Sequence, residues 1–293
     1  KDKIKLSKLK KKYPNKIITS NENVIFKDKD INLVSIASYD NYHYKQIIKS
    51  LKTNKNIIIE KPMCLNIKEL RNIKNLLIKK NLKITSNLVL RTSSLFKEIK
   101  KKISLKDIFY IEADYIWGRK FKLFGWRSKL KDYSLILGAA IHMIDLIVWF
   151  VKDKPIKVHA FGSNKVTKNS KFKKKSLVVM ILEFKNGLIV KISANGVAEH
   201  HHFHEIKIFQ KNQTIINSVK GPFDIKKNKM VQIKGEYPDK KNRKLLIQNF
   251  ISTLIEKKTK SLISVEDQFD VMSICLAAEQ SLKYNRKVKI KYI

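Results

Sequence analysis

The chain has 293 residues, 43% of them apolar, which is enough to bury a sizeable core and more than a single domain of ordinary size would use. Its formal net charge is +38, yet only six of the 63 basic residues are Arg, and the lysines run through every segment among Asn and Ile. That even spread reads as a solvated lysine coat and excludes a dedicated nucleic-acid surface, whose basic residues would cluster on one face. The longest apolar stretch, residues 135–151, is too short for a membrane span and is interrupted by His142 and Asp145, so it is expected to be a buried helix. Two cysteines, Cys64 and Cys275, give no disulfide framework, and with no signal-peptide pattern at the start a reducing cytoplasm is expected.

In chain order, residues 16–19 suggest a first strand, and residues 31–37 and 56–59 are β-branched runs. Amphipathic helices are expected between and after them, at 41–52 and 67–80, with a further strand at 83–87. This βαβα alternation predicts a parallel sheet. From residue 108 the pattern changes to longer strands at 108–117, 156–162, 176–184, 188–195 and 205–209, with a hairpin turn at Lys185-Asn186-Gly187. A mostly antiparallel sheet follows, and helices at 242–257 and 265–284 close the chain. The change of pattern places the boundary between two domains near residues 90–94, giving units of 1–92 and 93–293.

Ligands of an open parallel sheet bind outside the carboxyl ends of its strands. Strand 31–37 runs into Ser38-Tyr39-Asp40-Asn41-Tyr42-His43, and strand 56–59 stops at Glu60-Lys61-Pro62. Proline lacks an N–H and fixes its φ, so it ends the ladder and holds Lys61 at the strand mouth. Together with "GAAIHMIDLIVWF" at 138–150 and the closing "SVEDQFDVMSICLAAEQSLKYNRKVKI", these features resemble the NAD(P)-dependent sugar and cyclitol oxidoreductases of the Gfo/Idh/MocA family, over essentially the whole chain.

The resemblance implies a Rossmann-type parallel sheet followed by an α+β domain with a large antiparallel sheet. It also implies hydride transfer between a nicotinamide cofactor, NAD or NADP, and a carbinol carbon of a small sugar-like molecule. Lys61 and His142 are the catalytic candidates it points to, with Ser38, His43, Glu60 and Lys61 toward the cofactor. Arg91, Trp126, Arg127 and Asp145 are candidates at the substrate cleft, where aromatic rings and guanidinium forks suit a polyhydroxylated ligand. Three residues before Asp145, His142 shares a helix face with it and is alternatively a core histidine bonded to that carboxylate. His200, His202 and His204 share a face if extended, but without a carboxylate or cysteine at ligand spacing no metal site is expected. No nucleic-acid or membrane partner is expected, and a homo-oligomer would form through the C-terminal sheet.

Two departures from the family pattern stand out. The carboxylate that usually stands four residues before the histidine is Gly138 here, so installing Asp at 138 is expected to raise activity. No G-x-G-x-x-G turn occurs in the 293 residues, and the opening lysine-rich segment resembles the helix after the family's second strand, so an N-terminally incomplete Rossmann sheet is expected. The alternative is a non-catalytic binding or assembly protein that keeps the oxidoreductase fold.

Overall fold

The computed structural model describes residues 3–256 and 258–293. Helix α1 (Lys3–Lys12) buries none of its residues, in keeping with its lysine run. Residues 16–19 do not form the expected strand: Ile17 is exposed, and among the described residues no strand lies alongside to share a ladder. After a short helix α2 (Asn23–Lys27) come β1 (Leu33–Ile36), α3 (Asp40–Lys52), β2 (Asn56–Ile59), α4 (Ile67–Lys80) and β3 (Ile84–Ser86). The three strands are parallel in the order β1-β2-β3, with Ile36 opposite Ile59 and Ile59 opposite Ser86. The three isoleucines of β2 are all buried, as a parallel strand covered on both faces requires. Asn66 caps α4 by accepting from the Glu69 amide at 3.0 Å, and Asn81 ends the helix in the left-handed conformation.

A 3-10 turn at Val89–Thr92 and α5 (Ser94–Lys101) lead into β4 (Ile108–Ile116) and α6 (Trp126–Lys129). A π-helical turn over Ile136–Ala140 then runs straight into α7 (Ile141–Val151), the buried helix expected from the apolar stretch. The chain continues through β5 (Pro155–Ser163), β6 (Leu177–Phe184), β7 (Ile189–Asn195), β8 (Phe203–Gln210), β9 (Gln213–Ser218), β10 (Gly221–Lys226) and β11 (Lys229–Gln232). It closes with α8 (Lys240–Ile255), α9 (Val265–Tyr284) and β12 (Val288–Lys289). The second sheet has the order β11-β10-β9-β8-β4-β7-β6-β5-β12 and is antiparallel throughout except where β4 meets β7. The β6–β7 hairpin turns on Gly187, whose φ of +89° suits glycine. β9, β10 and β11 lie in a stretch rich in Lys, Asn and Gln that carries little apolar alternation, and they were not expected from the sequence.

The two sheets share one core, closed by α9, which is capped by Ser264 and packs on α7 and β5. Gln268 of α9 acts as a strand edge for β3: its Oε1 accepts from the Ser86 amide at 2.6 Å and its Nε2 donates to the Ile84 carbonyl at 3.2 Å. The outer edge of β3 is thus satisfied by one side chain. No described helix is long and apolar enough to cross a membrane.

Candidate active site

The strand ends of the parallel sheet are tied together by a buried histidine. The His43 ring, on the first turn of α3, bonds the Ser38 carbonyl at 3.1 Å and the Pro62 carbonyl at 2.7 Å, so it fastens the turn after β1 to the turn after β2. Fully covered, His43 shapes this rim from within. Ser38 donates its hydroxyl to Gln46 at 2.7 Å. Glu60 still takes part in the ladder through its amide, and its carboxylate accepts from Asn87 at 2.6 Å. The next side chain, Lys61, crosses to the second unit, where its amine donates to the Gly138 carbonyl.

Gly138 sits in the π-helical turn, whose start is held by Ser134: its hydroxyl accepts from the Ile136 and Leu137 amides at 3.0 and 3.2 Å and donates to Glu279. A Cβ built on Gly138 would stand 2.3 Å from the Tyr133 hydroxyl and 2.8 Å from its ring carbon Cζ. The expected gain from Asp at 138 is therefore corrected: any side chain there first has to displace Tyr133. Tyr133 is buried edge-on against Trp126 and Phe172, and its hydroxyl accepts from Arg127 Nε at 3.3 Å. Arg127 lies over the Trp126 ring at 4.2 Å, and Trp126 stacks at 4.7 Å on Tyr39 of the first unit. Trp126 and Arg127 thus stand between the two sheets, and they bring in Tyr39 and Tyr133, which the sequence did not single out.

Burial pushes the Lys61 amine below its ordinary pKa, with Asp40 and Glu60 opposing. Burial likewise raises the carboxyl of Asp40, against the pull of Lys61, His43 and Arg127. Asp40 is a buried acid in the field of Lys61. It lies in the quoted 38–43 stretch, and its charge amid aromatic neighbours was the signal available there. His142 is held neutral by burial, helped by Lys61 and the neighbouring His204 and His202. Its ring stacks on Tyr115 at 5.9 Å, and its Nδ1 is buried without a partner. Around Tyr115 gather the rings of His202 and His204, each edge-on at about 5 Å. His204 bonds the Tyr237 hydroxyl at 2.5 Å, and burial lowers its pKa to about 3. Among the described residues no three His, Cys, Asp or Glu side chains converge as a metal site.

Arg91 and Asp145, the other candidates at the substrate cleft, lie in the interior. They pair with each other in the interior, Arg91 Nε to Asp145 Oδ1 at 2.9 Å, and Arg91 also reaches Asp267 at 2.5 Å. With Arg91 3% and Asp145 1% exposed, the pair joins the 89–92 turn, α7 and α9. Asp145 is thereby occupied by Arg91, and His142 is left free of it.

A three-stranded parallel sheet and a large, mostly antiparallel one thus meet, with a lysine crossing between them. The chain belongs to the Gfo/Idh/MocA oxidoreductase family: residues 4–88 match "Oxidoreductase family, NAD-binding Rossmann fold" and residues 96–216 match "GFO/IDH/MocA C-terminal domain". Among solved structures, it resembles myo-inositol 2-dehydrogenase from Lactobacillus plantarum, with a TM-score of 0.81 at 18% identity over 99% of this chain and 89% of that one. It also resembles scyllo-inositol dehydrogenase from Lactobacillus casei, solved with bound NAD(H) and scyllo-inositol, with a TM-score of 0.79 at 19% identity over 98% of this chain and 88% of that one. YteT of Bacillus subtilis is 26% identical over 139 residues, which span 45% of this chain and 32% of YteT.

The residues at the strand ends fit one half of the dinucleotide. A cavity of about 200 Å³ there is lined by Ala37, Glu60, Thr85, Asn87 and Arg243, and the Thr85 hydroxyl in its wall is buried without a partner. Such a set of donors and acceptors suits a ribose and carboxamide. No G-x-G-x-x-G turn stands in the sequence to meet a pyrophosphate with helix N-terminal amides.

Proposed function

We propose that this chain catalyses hydride transfer between NAD or NADP and a hydroxyl-bearing carbon of a sugar, sugar derivative or cyclitol. The observation that carries this reading is the Lys61 amine, delivered by the end of β2 to the Gly138 carbonyl on the opposite unit and depressed in pKa by burial. A lysine so placed is neutral at lower pH than usual and can take the proton of a substrate hydroxyl. A bound nicotinamide ring supplies the hydride acceptor or donor. Glu60 and Asn87 would hold its ribose side, and Ser38 borders the same rim. Trp126 and Arg127 offer an apolar face and a guanidinium fork to a polyol, while the neutral His142, with its free Nδ1, can bond a substrate hydroxyl. The outer face of the large sheet, with Phe161 opposite Val179, supports self-association through that sheet.

The test is nicotinamide absorbance change with NAD+ and NADP+ against myo-inositol, scyllo-inositol, levoglucosan and UDP-N-acetylglucosamine. Lys61→Ala is expected to lower kcat by a factor on the order of 10² or more, as removal of a general base does. Equal turnover by the variant would refute the assignment. Glycine at 138, where the resemblance implies a carboxylate, favours a second reading, a non-catalytic protein on the same fold. Turnover of none of these compounds, with no binding of either cofactor, would select it.

A further inference from the structure

Resting on the oxidoreductase reading, we propose that the Tyr133 hydroxyl replaces the carboxylate absent at residue 138 and hydrogen-bonds the reacting hydroxyl of the substrate beside Lys61. The two groups meet at one residue. Lys61 donates to the carbonyl of Gly138, while the Tyr133 hydroxyl stands 2.3 Å from where the Cβ of that residue would be, in the space its side chain would enter. Glycine at 138 leaves a volume beside the backbone, and the Tyr133 hydroxyl occupies it.

The hydroxyl is oriented for donation. Its oxygen accepts from Arg127 Nε at 3.3 Å, and among the described residues nothing accepts its proton. Phe172 and Trp126 hold the ring edge-on from two sides. Burial raises the phenol pKa, so the group keeps its proton through neutral pH. Tyr133 also borders a cleft of about 800 Å³ with Asn41, Asp132 and Leu137. In the oxidative direction a bound oxidised nicotinamide would take the electron pair of the carbinol C–H bond as hydride. The O–H bond breaks with its proton going to the neutral Lys61 amine, and the C=O bond forms. Tyr133 donates a hydrogen bond to the developing alkoxide throughout and does not ionise.

Three variants and a stability cycle test this, using whichever of myo-inositol and scyllo-inositol is turned over faster. Tyr133→Phe keeps the ring and should lower kcat about 10- to 100-fold, with the Kd for NADH changed less than twofold. Tyr133→Ala with Gly138→Asp places a carboxylate in the vacated volume and should recover at least tenfold of what Tyr133→Ala alone loses. Independently of activity, Gly138→Ala should lower the urea midpoint in the wild type and leave it unchanged in the Tyr133→Ala background, because the clash is then gone. Full activity in Tyr133→Phe, alongside an inactive Lys61→Ala, overturns the proposal and leaves the oxidoreductase reading standing. A loss in Tyr133→Phe without recovery in the double variant shows the phenol to be a positioning group and overturns the replacement. Additive Gly138 and Tyr133 effects on stability overturn the shared volume, and an unaffected Lys61→Ala removes the parent reading and this one together.

Discussion

At the scale of single residues, the imidazoles under the seam make the protein acid-sensitive. His204 titrates near 3 in the folded chain against about 6.5 unfolded, and His142 is also depressed. Between these values the unfolded state binds protons that the folded state refuses, so stability is whole above about pH 6.5 and falls as pH drops. Glu279, pushed up to about 6, acts in the opposite sense: its folded form holds a proton that the unfolded chain releases above about 4.5. Asp40, Asp145 and Asp270, also raised by burial, act in the same sense as Glu279, so the part due to an imidazole is read by removing it. His204→Asn should remove about 1.4 kcal/mol per pH unit from the acid slope between pH 6 and 4, read as urea midpoints at each pH. A slope equal to wild type would mean that His204 carries its charge in the folded protein. Lys61 was legible in the sequence because a proline after a buried strand has a direct geometric consequence. The part played by Tyr133 was not, since only three-dimensional proximity shows that its hydroxyl fills the space beside Gly138.

At the scale of elements, the Arg91–Asp145–Asp267 cluster joins the 89–92 turn to α7 and α9. Arg91→Ala leaves Asp145 charged and buried without its partner and should cost about 3 to 5 kcal/mol. Replacing both with apolar residues, Arg91→Met and Asp145→Leu, should cost much less, and equal losses from chemical denaturation would show that the pair has no such role. The contrast reveals what the sequence could convey about elements. β2 and α4 have the residue bounds expected of them because three isoleucines before Glu-Lys-Pro and an Asn66 cap are local signals. The polar strands β9, β10 and β11 gain their place from the ladder of β8, a long-range partner that no local window contains. The partner of Asp145 was hidden for the same reason: its helix face was legible, but the arginine it meets lies 54 positions earlier.

At the scale of the whole molecule, the cofactor question is quantitative. On the proposed reading the strand ends would hold the nicotinamide-ribose half, while two or three charge-assisted bonds from a glycine turn have no counterpart in residues 1–293, each worth roughly 1.5 to 3 kcal/mol. Calorimetric titration of residues 1–293 with NADH and NADPH should give binding weaker than micromolar, and a sub-micromolar Kd for either would show that other residues of this chain grip the phosphates. The Tyr39–Trp126 stack has a further consequence, because the two rings belong to different halves and lie 4.7 Å apart with planes 13° from parallel. Separating the halves by a few ångströms would unstack them and wet the indole, so the molecule carries an optical gauge of its own hinge. Opening should appear as a red shift and greater iodide quenching of tryptophan emission, closure on a ligand as the reverse. Trp126→Phe should abolish both signals while Trp117 and Trp149 continue to emit.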